Sequence, residues 1–272
     1  MDGKLRIYIA SHKKFDVPNF DEYSPISVGT ILRNGDDFGY ISDAEGNNIS
    51  EKNQSFCELT ALYWIWKNVK VEIVGLVHYR RYFSKFMACE DEKYFLRKGE
   101  ILHILDTYDL ILPRKIKWKN YTVAGGYDHG AGFKKDLKVI RDIINRRHSE
   151  YLDTFDDVCN GHSASYCNMF IMNKSLADKY CEWLFDILFE AESIIDITNY
   201  DTSEKRIFGY LSEILLNVWV KNNNLRIYYC PVVWIKGFSS VRRRICAAIE
   251  HIPLGKYLVR LYSDYEFNKG QG

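Results

Sequence analysis

Apolar residues fall along this chain in two rhythms. Residues 5–10 (LRIYIA) alternate and are β-branched, the pattern of a strand, and they run into a polar Ser11-His12-Lys13-Lys14. Residues 53–68 instead place Phe56, Leu59, Leu62, Tyr63 and Trp66 at helical spacing, which predicts one helix whose aromatics Tyr63, Trp64 and Trp66 are mostly core. Short apolar runs at 71–78 (VEIVGLVH), 108–112 (YDLIL, closed by Pro113), 167–172 (CNMFIM) and 225–229 read as further strands. Residues 137–147, 151–159, 174–192 and 208–222 read as helices. Residues 24–53, rich in Gly, Asn and Asp, read as irregular. Strands and helices alternate, which predicts an α/β fold with a Rossmann-like, mainly parallel central sheet flanked by helices. Ligands of such sheets gather at the carboxyl ends of the strands, so the loops after 5–10, 71–78, 108–112 and 167–172 are the expected site.

Composition narrows the class. The 272 residues are 47% hydrophobic, 27% charged and 15% aromatic, which suits a globular chain and excludes disorder or coiled coil as a whole-chain description. No internal repeat is found. Lys and Arg number 37 against 36 Asp and Glu, so nothing in the bulk charge calls for nucleic acid. The opening residues do not read as a signal peptide, and no run of about 18 apolar residues offers a membrane span. Seven scattered cysteines without a C-x-x-C fit reduced thiols in a cytoplasmic protein and argue against a cysteine zinc site. No G-x-G-x-x-G and no Walker lysine follows the first strand, which disfavours dinucleotide and P-loop enzymes.

The sharpest local feature is His78-Tyr79-Arg80-Arg81-Tyr82 at the end of an apolar strand. Two guanidiniums and an imidazole there form either an anion site, since Arg suits phosphate oxygens, or a basic turn paired to acids on nearby helices. Glu58, at a helix start, caps the first turn or meets a ligand. Asp201, in Asp-Thr-Ser, reads as a cap. Arg114-Lys115 reads as a solvated turn, and His162 as a satisfied structural histidine. Gly125-Gly126-Tyr127-Asp128-His129-Gly130 reads as a mobile loop able to gate a site.

The segments IYIASHK (7–13), NISEKNQSFCELTALYWIWKN (48–68), GLVHYRRYF (75–83), DLILPRK (109–115), NMFIM (168–172) and FGYLSEILLNVW (208–219) resemble those of a bacterial capsular and exopolysaccharide glycosyltransferase family. That family was formerly a domain of unknown function, and its characterised relatives are galactofuranosyltransferases. The resemblance implies a GT-A-like domain over 1–238 and transfer of galactofuranose from UDP-galactofuranose, with inversion, to a lipid-linked surface glycan. The strand that would end in Asp-x-Asp in metal-dependent relatives ends here in His78-Tyr79-Arg80, so the resemblance implies a metal-independent enzyme without cofactor. Arg80, Arg81 and His78 would take the metal's place on the diphosphate. The rival view places a metal on Asp109 or Asp128. By the same resemblance Glu213, in GYLSE, is the general base, with Asp201 as fallback. Ala10, His12 and Lys13 face the donor nucleotide, Asn168 meets the donor sugar, and His129 and Glu58 lie on the acceptor side.

From Ser239 onward six Lys and Arg meet three Asp and Glu, and Val241, Ile245, Ala248, Ile249 and Ile252 share a helical face. A basic amphipathic tail over 239–272 is thus expected, lying on the inner face of the membrane or docked on the domain as a plain terminal helix. The expected partners are a UDP-sugar, a lipid-linked glycan acceptor and the membrane surface, with homo-oligomers left open. A pyranose UDP-sugar, a non-catalytic glycan-binding role and a phosphotransferase using the arginines stand as alternatives.

Overall fold

The computed structural model describes residues 4–235 and 240–269. The chain begins with β1 (Leu5–Ser11), followed by β2 (Tyr23–Ser27) and the two-residue β3 (Ile41–Ser42). Residues 24–53, expected to be irregular, therefore add two parallel strands to the sheet edge. Proline, serine and glycine hide these strands from periodicity, and pairing with β1 imposes them.

The helix expected over 53–68 is two helices, α1 (Asn53–Phe56) and α2 (Leu59–Asn68). Cys57, with φ +51°, breaks them apart, and Asn53 Nδ2 donates to the Cys57 carbonyl at 2.6 Å. Next come β4 (Ile73–His78), a turn, and β5 (Arg81–Phe83), which pairs back on β4 through Arg81 and His78. Then follow α3 (Lys98–Leu105), β6 (Leu110–Pro113), β7 (Ile116–Lys117) and α4 (Val123–Gly130). The Gly-rich stretch expected as a mobile loop is thus α4. Thr122 caps it by accepting from the Gly125 amide, and Gly126 admits the Trp118 ring so closely that a Cβ would lie 2.5 Å from it.

The helices α5 (Lys134–Arg147) and α6 (Leu152–Asn160) lead to β8 (Ser163–Ala164) and β9 (Phe170–Asn173). After them come α7 (Lys174–Ile194), α8 (Ile207–Asn222), β10 (Ile227–Cys230) and β11 (Val232–Trp234), then α9 (Ser240–Ile249) and α10 (Pro253–Lys269).

The main sheet runs β10-β6-β9-β4-β1-β2-β3. It is parallel except at β9, which lies antiparallel between β4 and β6. Alternate residues of its central strands bury on opposite faces. Tyr8, Val74, Leu76, Leu110 and Phe170 meet the layer of α1, α2 and α5–α8, while Ile7, Ile9, Val77, Ile111 and Ile171 meet Phe83, Phe95, Ile101 and Val233 on the other side. Burial on both faces explains why these strands read as nearly unbroken apolar runs. The expected α/β architecture, its mainly parallel sheet flanked by helices and its helical C-terminal extension all stand.

Candidate functional site

The carboxyl ends of β1 and β4 lie side by side, with Ala10 registered opposite His78. Polar side chains from five segments meet beyond them. They come from the loop after β1, the α1–α2 break, the β4–β5 turn, the segment before β9 and the start of α8. Cys57, Cys167 and Asn168 all have positive φ there, at 51°, 79° and 50°. A non-glycine residue in that region costs about 1–3 kcal/mol and persists where its surroundings over-determine it, and such strain clusters at functional sites.

Two carboxylates form the inner part. Glu213, on α8, accepts the Cys167 amide at 2.7 Å. Burial and then the charge of Glu58 push its pKa up to about 7, against the pull of the Cys167 amide, Arg81 and Arg206. Glu58 leads into α2, yet its side chain makes no capping bond there. It accepts from Asn168 Nδ2 at 2.6 Å instead. Asn168 also donates to the Gly209 carbonyl at 3.0 Å and accepts from Ser212 Oγ at 3.0 Å. Only 3% of Asn168 is exposed, so its amide is not presented to a donor sugar; it holds Glu58 in place. Gly209 makes this closeness possible: a Cβ there would stand 3.2 Å from Cys57 Cβ and Sγ.

His78 completes the inner part. Its Nε2 lies 2.5 Å from the Cys167 carbonyl, which can only accept, so that nitrogen carries the proton. Burial lowers the His78 pKa, Glu58 opposes this, and the Arg81 charge adds to it. His78 is therefore a neutral donor fixed to the strained Cys167 rather than a cation on a phosphate.

Cations form the outer part. His12 packs edge-on against Tyr79 at 5.3 Å, with Lys13 and Arg80 over the same ring. Burial lowers the His12 pKa, as do the positive charges of Lys13, Arg33, Arg206 and Arg80, in that order. Four cations surrounding one imidazole mark the place where an anion would be welcome. Arg81 lies over the Trp234 ring at 4.6 Å and acts with its charge on His78 and Glu213. Arg80 and Arg81 therefore rest on different rings and act on different groups of the site.

Two cations were missed by sequence reasoning. Arg206 donates from Nε to Cys57 Sγ at 3.4 Å and acts electrostatically on His12, His78 and Glu213. Arg33 is held by the Val28 carbonyl and Ser27 Oγ, both at 2.5 Å. A basic residue just before a predicted helix was a usable signal for Arg206; nothing local marked Arg33.

The remaining expectations sort clearly. Ala10 is 4% exposed and packs in the helix-side core, so it is a floor residue rather than a nucleotide contact. His129 sits on α4 and stacks on Tyr121 at 4.8 Å. Asp109 is bound by Arg226 through two nitrogens, and Asp128 holds the Lys134 amide, so both are engaged in structure. Asp201 does cap, accepting from the Glu204 amide at 2.7 Å. His162 Nδ1 meets the Tyr121 carbonyl at 2.8 Å. Among the described residues no three His, Cys, Asp or Glu side chains are grouped to hold a metal ion.

A mainly parallel sheet with an antiparallel β9 in its middle, and an anion-attracting mouth over a carboxylate pair, define a class of α/β proteins with a ligand site at the strand ends. The chain belongs to the family described as Domain of unknown function (DUF4422), whose model matches residues 6–224. Among solved structures it is similar to WbbM, a bifunctional glycosyltransferase in its apo form, with 28% identity and a TM-score of 0.80. The likeness covers 86% of this chain and 46% of the WbbM chain, so this chain spans just under half of that protein. Among curated proteins nothing matches.

Proposed function

We propose that this chain is a glycosyltransferase that moves a sugar from a nucleoside diphosphate to a hydroxyl of a glycan acceptor. The observation that carries the reading is the pairing of a cation-ringed mouth around His12 with a carboxylate held near neutrality at Glu213. Similarity to a bifunctional glycosyltransferase supports it.

The chemistry follows from the charges. The donor diphosphate enters between Lys13, Arg33, Arg80 and Arg206. As the bond from the anomeric carbon to phosphate breaks, its electron pair moves to the diphosphate oxygen. Cations already in place stabilise that charge without reorganising. The acceptor oxygen forms the new bond from the opposite side, and Glu213 takes its proton. With an α-linked donor, in-line attack leaves a β linkage. We propose UDP-galactofuranose as donor and a lipid-linked glycan of capsule, O-antigen or exopolysaccharide synthesis as acceptor. We further propose that the arginines and Lys13 carry the charge a metal ion would otherwise take.

Calorimetric titration of uridine diphosphate, with manganese and then with a chelator, tests this. Binding that survives the chelator and weakens at least tenfold in Arg206→Ala supports the site. Binding only with manganese overturns metal independence, and no binding in either condition overturns the donor site. Glu213→Gln is expected to keep the nucleotide affinity while losing about 100- to 10,000-fold in turnover. Unchanged turnover in that variant removes Glu213 from the mechanism.

A further inference from the structure

Eight of the thirteen large apolar residues exposed among the described residues lie between Val241 and Tyr265. On α10 they fall at Leu254, Tyr257, Leu258, Leu261 and Tyr265, one continuous helical stripe facing away from the body. The opposite side of α10 is already satisfied, since Val259 is buried against Ala88 and Cys246. The helix is therefore apolar on two sides, and a helix that only capped the domain would need one. Arg260 borders the outer stripe, with exposed Arg244 on α9 and exposed Lys256 nearer the body. The side chains of Arg242 and Arg243, expected to share this face, lie outside the described residues.

Asp264, on α10, is half-buried and answered by the charge of Arg260, and the acid between α9 and α10 is drawn inward. Glu250 is 2% exposed and accepts the Met87 amide at 2.5 Å and the Ala88 amide at 2.8 Å. This bond ties the α9–α10 pair to the loop after β5. Phe86 adds to the tie, packing on His251 at 4.6 Å with Lys256 over its ring. Pro253 opens α10, where its missing N–H has no cost.

We infer that α9 and α10 form a fixed platform that lies in the interface of an anionic lipid bilayer. The Leu254–Leu261 stripe sinks among the acyl chains, and Arg260 and Arg244 meet lipid phosphates. Charge decides the occupant: cations border the stripe, and a second copy of the same face would set them against each other. The platform follows β11, which pairs with β5, and β11 carries Trp234 over Arg81. Platform and anion site thus meet at the antiparallel pair of β5 and β11. Resting on the proposed transfer to a lipid-linked acceptor, this places the acceptor's head beside Glu213 while its lipid stays in the membrane.

Co-sedimentation of the full chain with vesicles tests the platform without reference to sugar transfer. One set is phosphatidylcholine alone; the other carries a quarter phosphatidylglycerol. Binding to the anionic set, at least tenfold stronger than to the neutral one and weakened by salt, is expected. The paired change Leu254→Asp and Leu258→Asp should abolish it, and Arg244→Glu with Arg260→Glu should erase the preference for anionic lipid. Unchanged uridine diphosphate binding in these variants shows that the fold is intact. Absence of vesicle binding overturns the inference, as does binding that survives the leucine changes. A dimer in solution that the same leucine changes dissociate, without vesicle binding, assigns the face to a second copy instead. Vesicle binding by a chain that binds no nucleotide leaves the platform standing and removes the transferase reading alone.

Discussion

Glu58 stands beside Glu213, and its negative charge adds to burial in lifting Glu213 to about 7. Arg81 and Arg206 pull the other way, as does the Cys167 amide. A base must be ionised to accept a proton, so kcat/KM should fall about tenfold per pH unit below this value and level off above it. Glu58→Gln removes the lifting charge, so the acid limb of the profile should move to lower pH; a limb that stays in place detaches Glu213 from it. The same shift acts on stability. Between the ordinary 4.5 and about 7 the folded chain holds the Glu213 proton more tightly than the unfolded chain does. Stability therefore falls as pH rises through that window. Glu213→Gln should match the parent's melting temperature near about pH 4.5 and exceed it near about pH 8. At this scale the sequence pointed to His78 and the arginine pair because they follow an apolar strand, and to Glu213 through the resemblance of its segment. It could not separate Arg80 from Arg81, which rest on different rings. Nor could it show Asn168 turned inward, since its role depends on Glu58 and Ser212, distant in sequence.

Between elements, the loop after β2 is organised by one carboxylate. Asp43 is fully buried and accepts from the amides of Gly29 and Thr30 and from the hydroxyls of Ser50 and Thr60. It fastens β3 and the approaches to α1 and α2 to the loop from which Arg33 reaches the mouth. Asp43→Ala strands four donors, each worth about 1–3 kcal/mol when buried unpaired. Urea unfolding should show a loss of several kcal/mol, with weaker uridine diphosphate binding in whatever still folds; a loss below about 1 kcal/mol would remove this role. Long helices such as α7 were legible because their apolar stripe extends over many turns. The α1–α2 break was not, because Phe56, Leu59 and Leu62 keep helical spacing across Cys57. The break falls at Cys57, with φ +51°, where α8 passes close at Gly209, a tertiary contact the local pattern does not record. The short strands β2 and β3 and the helix α4 were missed for a related reason: their conformation is set by what they pack on.

Across the whole molecule, the alternation of strands and helices was enough to reach the architecture. It did not reveal the direction of β9, because an apolar run reads the same both ways. The platform of α9 and α10 was legible as an amphipathic tail, but the Glu250 tie to residues 87 and 88 was not. β9 carries a consequence for how the chain is made. It is the wedge between β4 and β6, yet it follows them by some distance in the chain. While the ribosome is still short of residue 170, β1, β2, β3 and β4 can assemble, but the inner edge of β4 has no partner and β6 has nothing to join. The two halves of the sheet close only when a late segment arrives in the reverse direction. Synthesis thus passes through a period in which the apolar edge of β4 is open to other chains.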